Sequence, residues 1–140
     1  SQSLCHGDFR NGNLLVHKKR LTGIIDWEFT HIGNPLEDIG WFCARCWRFD
    51  NDKEEAGGIG QLSDFMESYE TTNPQQVNWL ELPYWKIVAT VQWALIAHRQ
   101  GLRDSWNSTR KLELALTGFK GVQLEHEILK LIKNHEGVKI

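Results

Sequence analysis

The sequence predicts an α+β protein that is mainly α, with a small β-hairpin near its start and four to five helices after it. Two short apolar runs, Leu14-Leu15-Val16 and residues 21–25, flank the polar residues 17–20, and that pattern predicts a hairpin with its turn. Apolar residues recur at helical spacing from Pro83 onward and again over residues 109–134. That period predicts two long helices, which makes the protein mainly helical.

The composition is that of an ordinary globular protein. Apolar residues make up 41% and charged residues 24%, which disfavours disordered and fibrous classes. The formal net charge is −2 and the longest basic block is residues 17–20, so we expect no nucleic-acid surface. No apolar run reaches membrane-spanning length, and three cysteines are not typical of a secreted disulfide framework. We expect a cytoplasmic protein that binds neither nucleic acid nor membranes.

The first predicted helix follows a breaker, Gly33-Asn34-Pro35. Residues 36–47 are predicted to be helical because Pro35 suits a helix start, and Glu37 and Asp38 in the first turn complement the helix dipole. The two cysteines and two tryptophans of this segment are interpreted as core packing, since free cysteine and tryptophan are mostly buried in proteins.

The remaining helices are placed by breakers and periodicity. Residues 50–60 combine a charged run with glycines, which indicates an exposed loop. A helix is predicted over residues 61–71, ended by Asn73-Pro74. The helix that opens at Pro83 is apolar on several faces, so we predict that it is central and buried, with His98 in a core or groove. Residues 109–134 predict an amphipathic helix.

The residues that carry chemistry lie on both sides of the hairpin. Asn13 follows Asp8 by five positions, as in the H-x-D-x-x-x-x-N catalytic loop of kinases. Asp26 comes directly after the second apolar run, so the hairpin brings both ends toward a shared metal. Asparagine and aspartate oxygens are ligands that Mg²⁺ accepts. A lone His-Gly-Asp is a common turn, but its combination with Asn13 and Asp26 is far more demanding.

These residues carry a family resemblance. The segments His6-Gly7-Asp8-Phe9-Arg10, Ile25-Asp26-Trp27-Glu28 and Gly33-Asn34-Pro35-Leu36-Glu37-Asp38 resemble the C-terminal lobe of the aminoglycoside phosphotransferase and choline kinase-like superfamily. The later segments Trp93-Ala94-Leu95 and residues 114–118 are similar to the phosphotransferase-like domains found fused to acyl-CoA dehydrogenases. The resemblance implies a protein-kinase-like C-terminal lobe, with the N-terminal lobe absent.

The resemblance also implies roles for individual residues. Asp8 would be the catalytic base or the carboxylate that orients the acceptor hydroxyl, and Arg10 would contact the transferred phosphate. Asn13 and Asp26 would bind Mg²⁺ and, through it, ATP. Glu28 either reaches a second metal or caps local backbone. Two residues would support the loop: His6 and Asp38, for which a plain helix-start carboxylate is an equal alternative.

The implied organisation is a single domain over residues 1–140, with residues 1–35 as catalytic and metal loops and residues 36–140 as a helical subdomain. Only ten positions separate Asp26 from Leu36, which leaves no room for the activation segment of protein kinases. We therefore expect a small-molecule hydroxyl acceptor.

Three further expectations follow. The chain is expected to be a truncated piece, inactive by itself, because the glycine-rich strand-turn and the Lys of a nucleotide lobe do not precede His6. The exposed interlobe face is expected to favour self-association. A non-catalytic binding module and a Mg²⁺-dependent hydrolase are the alternatives to a phosphotransferase.

Overall fold

The computed structural model describes residues 2–73, 76–101 and 108–135, with no account of the side chains at 101 and 108–119. The chain divides into two compact units, Ser1–Lys86 and Ile87–Ile140. The prediction of one domain over residues 1–140 stays a prediction. Within the described residues, the structure is mixed, with four α-helices and two small antiparallel sheets, which agrees with the predicted α+β class.

The predicted hairpin is confirmed. Strands β2 (Leu14–His17) and β3 (Arg20–Ile24) pair antiparallel, with Leu14 opposite Ile24 and a bulge after Leu15. Lys18 and Lys19 form the two-residue turn with φ of 48° and 63°, the left-handed values that a twisted hairpin favours at both central positions. The register therefore places the residues just before β2 and just after β3 at one end of the hairpin.

A second sheet was not predicted from the sequence. Strands β1 (Ser3–Cys5) and β4 (His31–Gly33) pair antiparallel, with Cys5 opposite His31. This pairing holds the two ends of the segment that contains the hairpin next to each other. Leu4 and Ile32 face each other in this sheet and are 62% and 64% exposed. Self-association through an exposed interlobe face stays a prediction.

Helix α1 (Leu36–Phe42) is shorter than predicted. The expected helix over residues 36–47 is wrong beyond Cys43, because Ala44 adopts extended backbone and a separate 3-10 turn forms at Arg45–Trp47. The cause lies in Arg48, whose guanidinium donates two hydrogen bonds, of 3.2 and 2.8 Å, to the carbonyl of Cys43. That carbonyl is satisfied by a side chain instead of by the next helical turn.

The other helices are α2 (Leu62–Thr72), α3 (Leu82–Gly101) and α4 (Ser108–His135). Their positions match the predicted segments to within a residue or two. The prediction that α3 is buried is wrong for much of its length, since Val91, Leu95 and Ile96 are exposed. The face of α3 that is buried carries small side chains, Ala89, Thr90 and Ala97. His98 is exposed and not in a core.

The first unit, Ser1–Lys86, has its core around α1. The buried apolar side chains that pack together there are Leu36, Ile39, Phe42, Cys43, Ala56 and Leu82. Each is at most 4% exposed. Three buried side chains of α1, Leu36, Ile39 and Phe42, belong to this cluster, so the position of α1 is tightly fixed. In the described parts of the chain, no helix is long and apolar enough to cross a membrane.

Gly40 provides a test of this packing. A methyl group at Gly40 would lie 2.7–2.8 Å from the backbone and Cβ of Trp85, and backbone atoms cannot rotate away. We expect Gly40→Ala to lower the free energy of unfolding by about 1–3 kcal/mol despite its better helix propensity. Chemical denaturation measures this change. Gly121→Ala is the control: a methyl there meets no described atom within 4 Å, so it should be neutral or stabilising. Equal stability of Gly40→Ala and the parent would contradict the packing.

The contact between His31 of β4 and Glu37 of α1 can be tested by its pH dependence. The Nδ1 of His31 lies 3.0 Å from the Phe29 carbonyl oxygen, and its Nε2 lies 2.9 Å from the Glu37 carboxylate. Both contacts raise the pKa of His31, and the carbonyl has the larger effect. A raised folded-state pKa stabilises the protein below the unfolded value near 6.5, and this stabilisation is lost as pH rises through the folded pKa. We expect Glu37→Gln to lower the His31 pKa in an NMR titration. An unchanged titration would show that the carboxylate is not a cause.

Candidate functional site

A carboxylate of α1 holds the loop between β1 and β2. Asp38 accepts hydrogen bonds from the backbone N–H groups of His6, at 2.6 Å, and Gly7, at 2.9 Å, one on each carboxylate oxygen. These hydrogen bonds connect the first turn of α1 to the loop. Gly7 has φ +82°, and a Cβ there would lie 2.6 Å from the Phe29 carbonyl oxygen. Only glycine allows the loop to approach this closely.

His6 joins the start of the loop to the end of the hairpin. Its ring is buried, with 2% exposure. Nδ1 accepts the backbone N–H of Asp8 at 3.1 Å, so Nε2 carries the hydrogen and donates it to the Ile25 carbonyl at 2.8 Å. The ring also packs 4.6 Å from that of Trp27, centroid to centroid. His6 therefore connects the start of the loop to the residue that precedes Asp26.

The Asp8 carboxylate receives hydrogen bonds from three side chains. Arg10 Nε lies 3.1 Å from both carboxylate oxygens. Asn13 Nδ2 donates to Oδ2 at 2.9 Å, and Trp41 Nε1 donates to Oδ1 at 2.9 Å. The Asp8 side chain nevertheless remains 17% exposed. Asp8 is thus oriented by its neighbours and still reachable by a small molecule.

The two predicted metal ligands, Asn13 and Asp26, lie at the same end of the hairpin. The backbone N–H of Ile25 donates to the Asn13 carbonyl at 3.0 Å, and Asp26 follows directly. Asn13 is 2% exposed and uses Nδ2 for both the carbonyl and the carboxylate of Asp8. Because the amide nitrogen faces Asp8, the amide oxygen is turned away from it. Asp26 is exposed.

The backbone of Asp26 is unusual. Its φ of 69° and ψ of 50° are left-handed, a conformation that a non-glycine residue adopts rarely and at a cost of about 1–3 kcal/mol. Such positions concentrate at functional sites. Here the conformation starts the 3-10 turn Trp27–Phe29 and directs the chain back toward β4. Glu28 lies in this turn and is exposed; both of its predicted roles stay predictions.

The donor set matches a hard, oxygen-seeking cation. In the described part of the chain, no three His, Cys, Asp or Glu side chains come together as a metal site. The predicted site consists of one amide and one carboxylate, Asn13 and Asp26. Mg²⁺ is commonly bound by one or two carboxylates together with water and substrate phosphates, so a sparse oxygen set of this kind fits Mg²⁺ better than zinc.

The Arg10 side chain lies next to Asp8. Its guanidinium carbon is 5.1 Å from the ring centroid of Trp47, a cation–π arrangement, and the side chain is 30% exposed. Its Nη1 occupies the place where a Cβ at Gly12 would stand. The predicted phosphate-contacting cation is therefore held beside the predicted base.

Two parts of the site were missed from the sequence. Trp41 was interpreted as core packing, and it is buried, with 7% exposure, but its indole N–H also bonds to Asp8. The available signal was its position three residues after Asp38, on the same face of the helix. Asn11 was also missed: its amide donates to the Gly57 carbonyl and joins the loop to residues 50–60. No sequence pattern points to that contact.

The chain is similar to known proteins of two descriptions. The model of a family described as "Phosphotransferase enzyme family" matches residues 1–80. Acyl-CoA dehydrogenase family member 11 from Pongo abelii is 30% identical over 123 residues, which cover 76% of this chain and 16% of that protein. The Homo sapiens protein of the same name is 30% identical over 122 residues, with the same shares. Acyl-CoA dehydrogenase family member 10 from Mus musculus is 40% identical over 43 residues, or 29% of this chain and 4% of that protein.

The chain thus spans about a sixth of the length of the first curated relatives it matches. No solved structure matches it. The matches confirm the resemblance seen in the sequence, both to the phosphotransferases and to proteins named as acyl-CoA dehydrogenases. The family match covers more than half of the chain and includes every residue of the candidate site. The protein therefore belongs to the phosphotransferase enzyme family.

Proposed function

We propose that this chain is the C-terminal catalytic lobe of an ATP-dependent phosphotransferase that phosphorylates a hydroxyl group of a small molecule. One observation carries the proposal. The Asp8 carboxylate is fixed by three donors and remains partly exposed, at the end of the hairpin where Asn13 and Asp26 also lie. Phosphoryl transfer requires a placed carboxylate and a placed cation site more than it requires a covalent step.

Asp8 would bind the acceptor hydroxyl and accept its proton. A base must come within about 2.6–3.2 Å of the oxygen whose proton it takes. The exposed part of the Asp8 side chain is where such an oxygen can approach. Because Arg10, Asn13 and Trp41 restrict rotation of the carboxylate, the acceptor would meet it in one orientation, which lowers the entropy lost on reaching the reactive geometry.

Asn13 and Asp26 would hold Mg²⁺. When bound, the metal ion would neutralise charge on the phosphates of the donor nucleotide. The orientation of the Asn13 amide, with its nitrogen committed to Asp8, supports this assignment because it presents the oxygen elsewhere. Arg10 would add a second positive charge beside the transferred phosphate, since its guanidinium is already next to Asp8.

The acceptor is proposed to be small. Between Asp26 and α1 the chain contains only the 3-10 turn Trp27–Phe29 and strand β4. No docking segment for a polypeptide fits into that span. The names of the relatives indicate acyl-CoA chemistry, so an acyl-linked hydroxyl compound is the acceptor class we would test before aminoglycosides.

Activity is proposed for the whole protein that carries this segment and not for residues 1–140 by themselves. Kinase-like chemistry uses a glycine-rich loop and a Lys over the donor phosphates. The chain covers 16% of the length of the first relatives that it matches. Experiments should therefore use the full reading frame that contains the chain.

The test is a phosphorylation screen of that full protein with ATP, Mg²⁺ and hydroxylated metabolites, read by mass spectrometry. We expect Asp8→Asn and Asp26→Ala each to lower kcat by about a hundredfold or more, because each removes a role that no neighbouring side chain can fill. Removal of Mg²⁺ with a chelator should have the same effect. Asp64→Asn is the matched control, since Asp64 is an exposed carboxylate of α2.

Three results would overturn the proposal. A near-normal rate in either Asp8→Asn or Asp26→Ala would remove the mechanism. Phosphate release without an acceptor would identify a Mg²⁺-dependent hydrolase instead. Binding of a metabolite with no turnover of any acceptor, in the full protein with Mg²⁺ and ATP, would favour the non-catalytic binding module.

A further inference from the structure

We propose that Trp41 is a positioning residue of the phosphotransfer site, which orients the Asp8 carboxylate through its indole N–H. The inference rests on the proposed function and goes beyond it, because it assigns a role to a residue outside the loop motif. Three independent features of the structure carry it: the hydrogen bond itself, the helix face from which Trp41 projects, and the way its ring is held.

The hydrogen bond is long-range in sequence and specific in its acceptor. Trp41 Nε1 donates to Asp8 Oδ1 at 2.9 Å across 33 positions of the chain. A buried indole N–H needs a partner, but a phenylalanine would fill similar volume without that need. Trp41 is 7% exposed. Because a ring without a donor could fill this buried position, packing alone does not explain the N–H. The acceptor it meets is the one carboxylate that the proposed chemistry uses as its base.

The same face of α1 makes two contacts with the catalytic loop. Asp38 and Trp41 are three positions apart, so their side chains project from one side of the helix. Asp38 holds the loop backbone at His6 and Gly7, while Trp41 holds the Asp8 side chain. One rigid helical face therefore sets both where the loop lies and how its carboxylate is turned.

The Trp41 ring is fixed by a second tryptophan. The ring centroids of Trp41 and Trp47 are 5.4 Å apart, and the Trp47 ring also contacts the Arg10 guanidinium. Trp47 lies in the 3-10 turn Arg45–Trp47, which exists because α1 stops at Phe42. The early end of the helix thus brings Trp47 to the place where it supports both the indole donor and the cation of the site.

Trp41 matters most when Arg10 is engaged elsewhere. Asp8 Oδ1 accepts from Trp41 and Oδ2 from Asn13, so the two donors hold opposite oxygens and resist rotation of the carboxylate. Arg10 Nε contacts both oxygens but would be drawn toward a phosphate during the reaction. With Arg10 so engaged, Trp41 and Asn13 are the side chains of this set that still hold Asp8.

The kinetic test compares the same substitution, tryptophan to phenylalanine, at two positions of the full protein. Trp41→Phe removes the N–H and keeps an aromatic ring. We expect kcat to fall roughly ten- to a hundredfold, the size of one hydrogen bond to a charged group, with KM for ATP and acceptor within about threefold of the parent. Trp79→Phe is the matched control: its Nε1 donates at 2.6 Å to the Glu70 carboxylate, so it loses the same kind of bond away from Asp8, and kcat should remain within about twofold of the parent.

A second measurement does not depend on activity, and it reads the hydrogen bond with Trp41 in place. In ¹⁵N spectra of the parent, the indole resonance of Trp41 is assigned by its loss in Trp41→Phe. We expect Asp8→Ala to shift this resonance and to speed hydrogen exchange of its N–H, while the Trp79 resonance stays in place. A kinetic effect of Trp41→Phe without any response of the indole to Asp8→Ala would mean that Trp41 acts by packing, and would overturn the inference.

The outcomes separate this inference from the proposed function. If the parent phosphorylates an acceptor and Trp41→Phe behaves like Trp79→Phe, the positioning role is wrong and the function stands. If the parent phosphorylates nothing while the Trp41 indole still responds to Asp8→Ala, the proposed function fails; the contact would then be structural, and the positioning role falls with it. A fall in kcat together with an indole response supports both.

Discussion

The site depends on the two hydrogen bonds that the Asp38 carboxylate accepts from the backbone of His6 and Gly7. Both are charge-assisted bonds to main-chain donors, the stronger class of hydrogen bond in proteins. They tie the loop to a helix whose Leu36 and Ile39 are at most 3% exposed. The rigidity of the core is thereby passed to the loop, and Asp8, two positions beyond His6, takes its place as a result.

Much of this arrangement could be predicted from local sequence. The hairpin follows from two branched apolar runs around a polar turn, and its length alone brings Asn13 and Asp26 to one end. The spacing of Asp8 and Asn13 indicated that the two side chains serve one site, and Asn13 does donate to Asp8. Helix α2 was predicted correctly because its breaker, Asn73-Pro74, acts within the segment itself.

The features that could not be predicted depend on distant partners. Strands β1 and β4 are only three residues long and pair across the whole hairpin, so neither carries enough alternation to be recognised. Helix α1 ends early because Arg48 folds back on the Cys43 carbonyl. Helix propensities do not include a hydrogen bond from a side chain beyond the end of the helix. The exposure of Val91 and Leu95 shows the converse limit, because apolar periodicity reports which side chains could be buried and not which ones find a partner.

The compactness of the contacts around Asp8 has an evolutionary consequence. The side chains that bond to its carboxylate come from positions 10, 13 and 41, and the backbone support comes from position 38. Mutations in α2, α3 or α4 touch none of these bonds. Under the proposed function, selection could therefore change the later helices while the residues around Asp8 stay the same, so that one family acquires different substrates on a shared site.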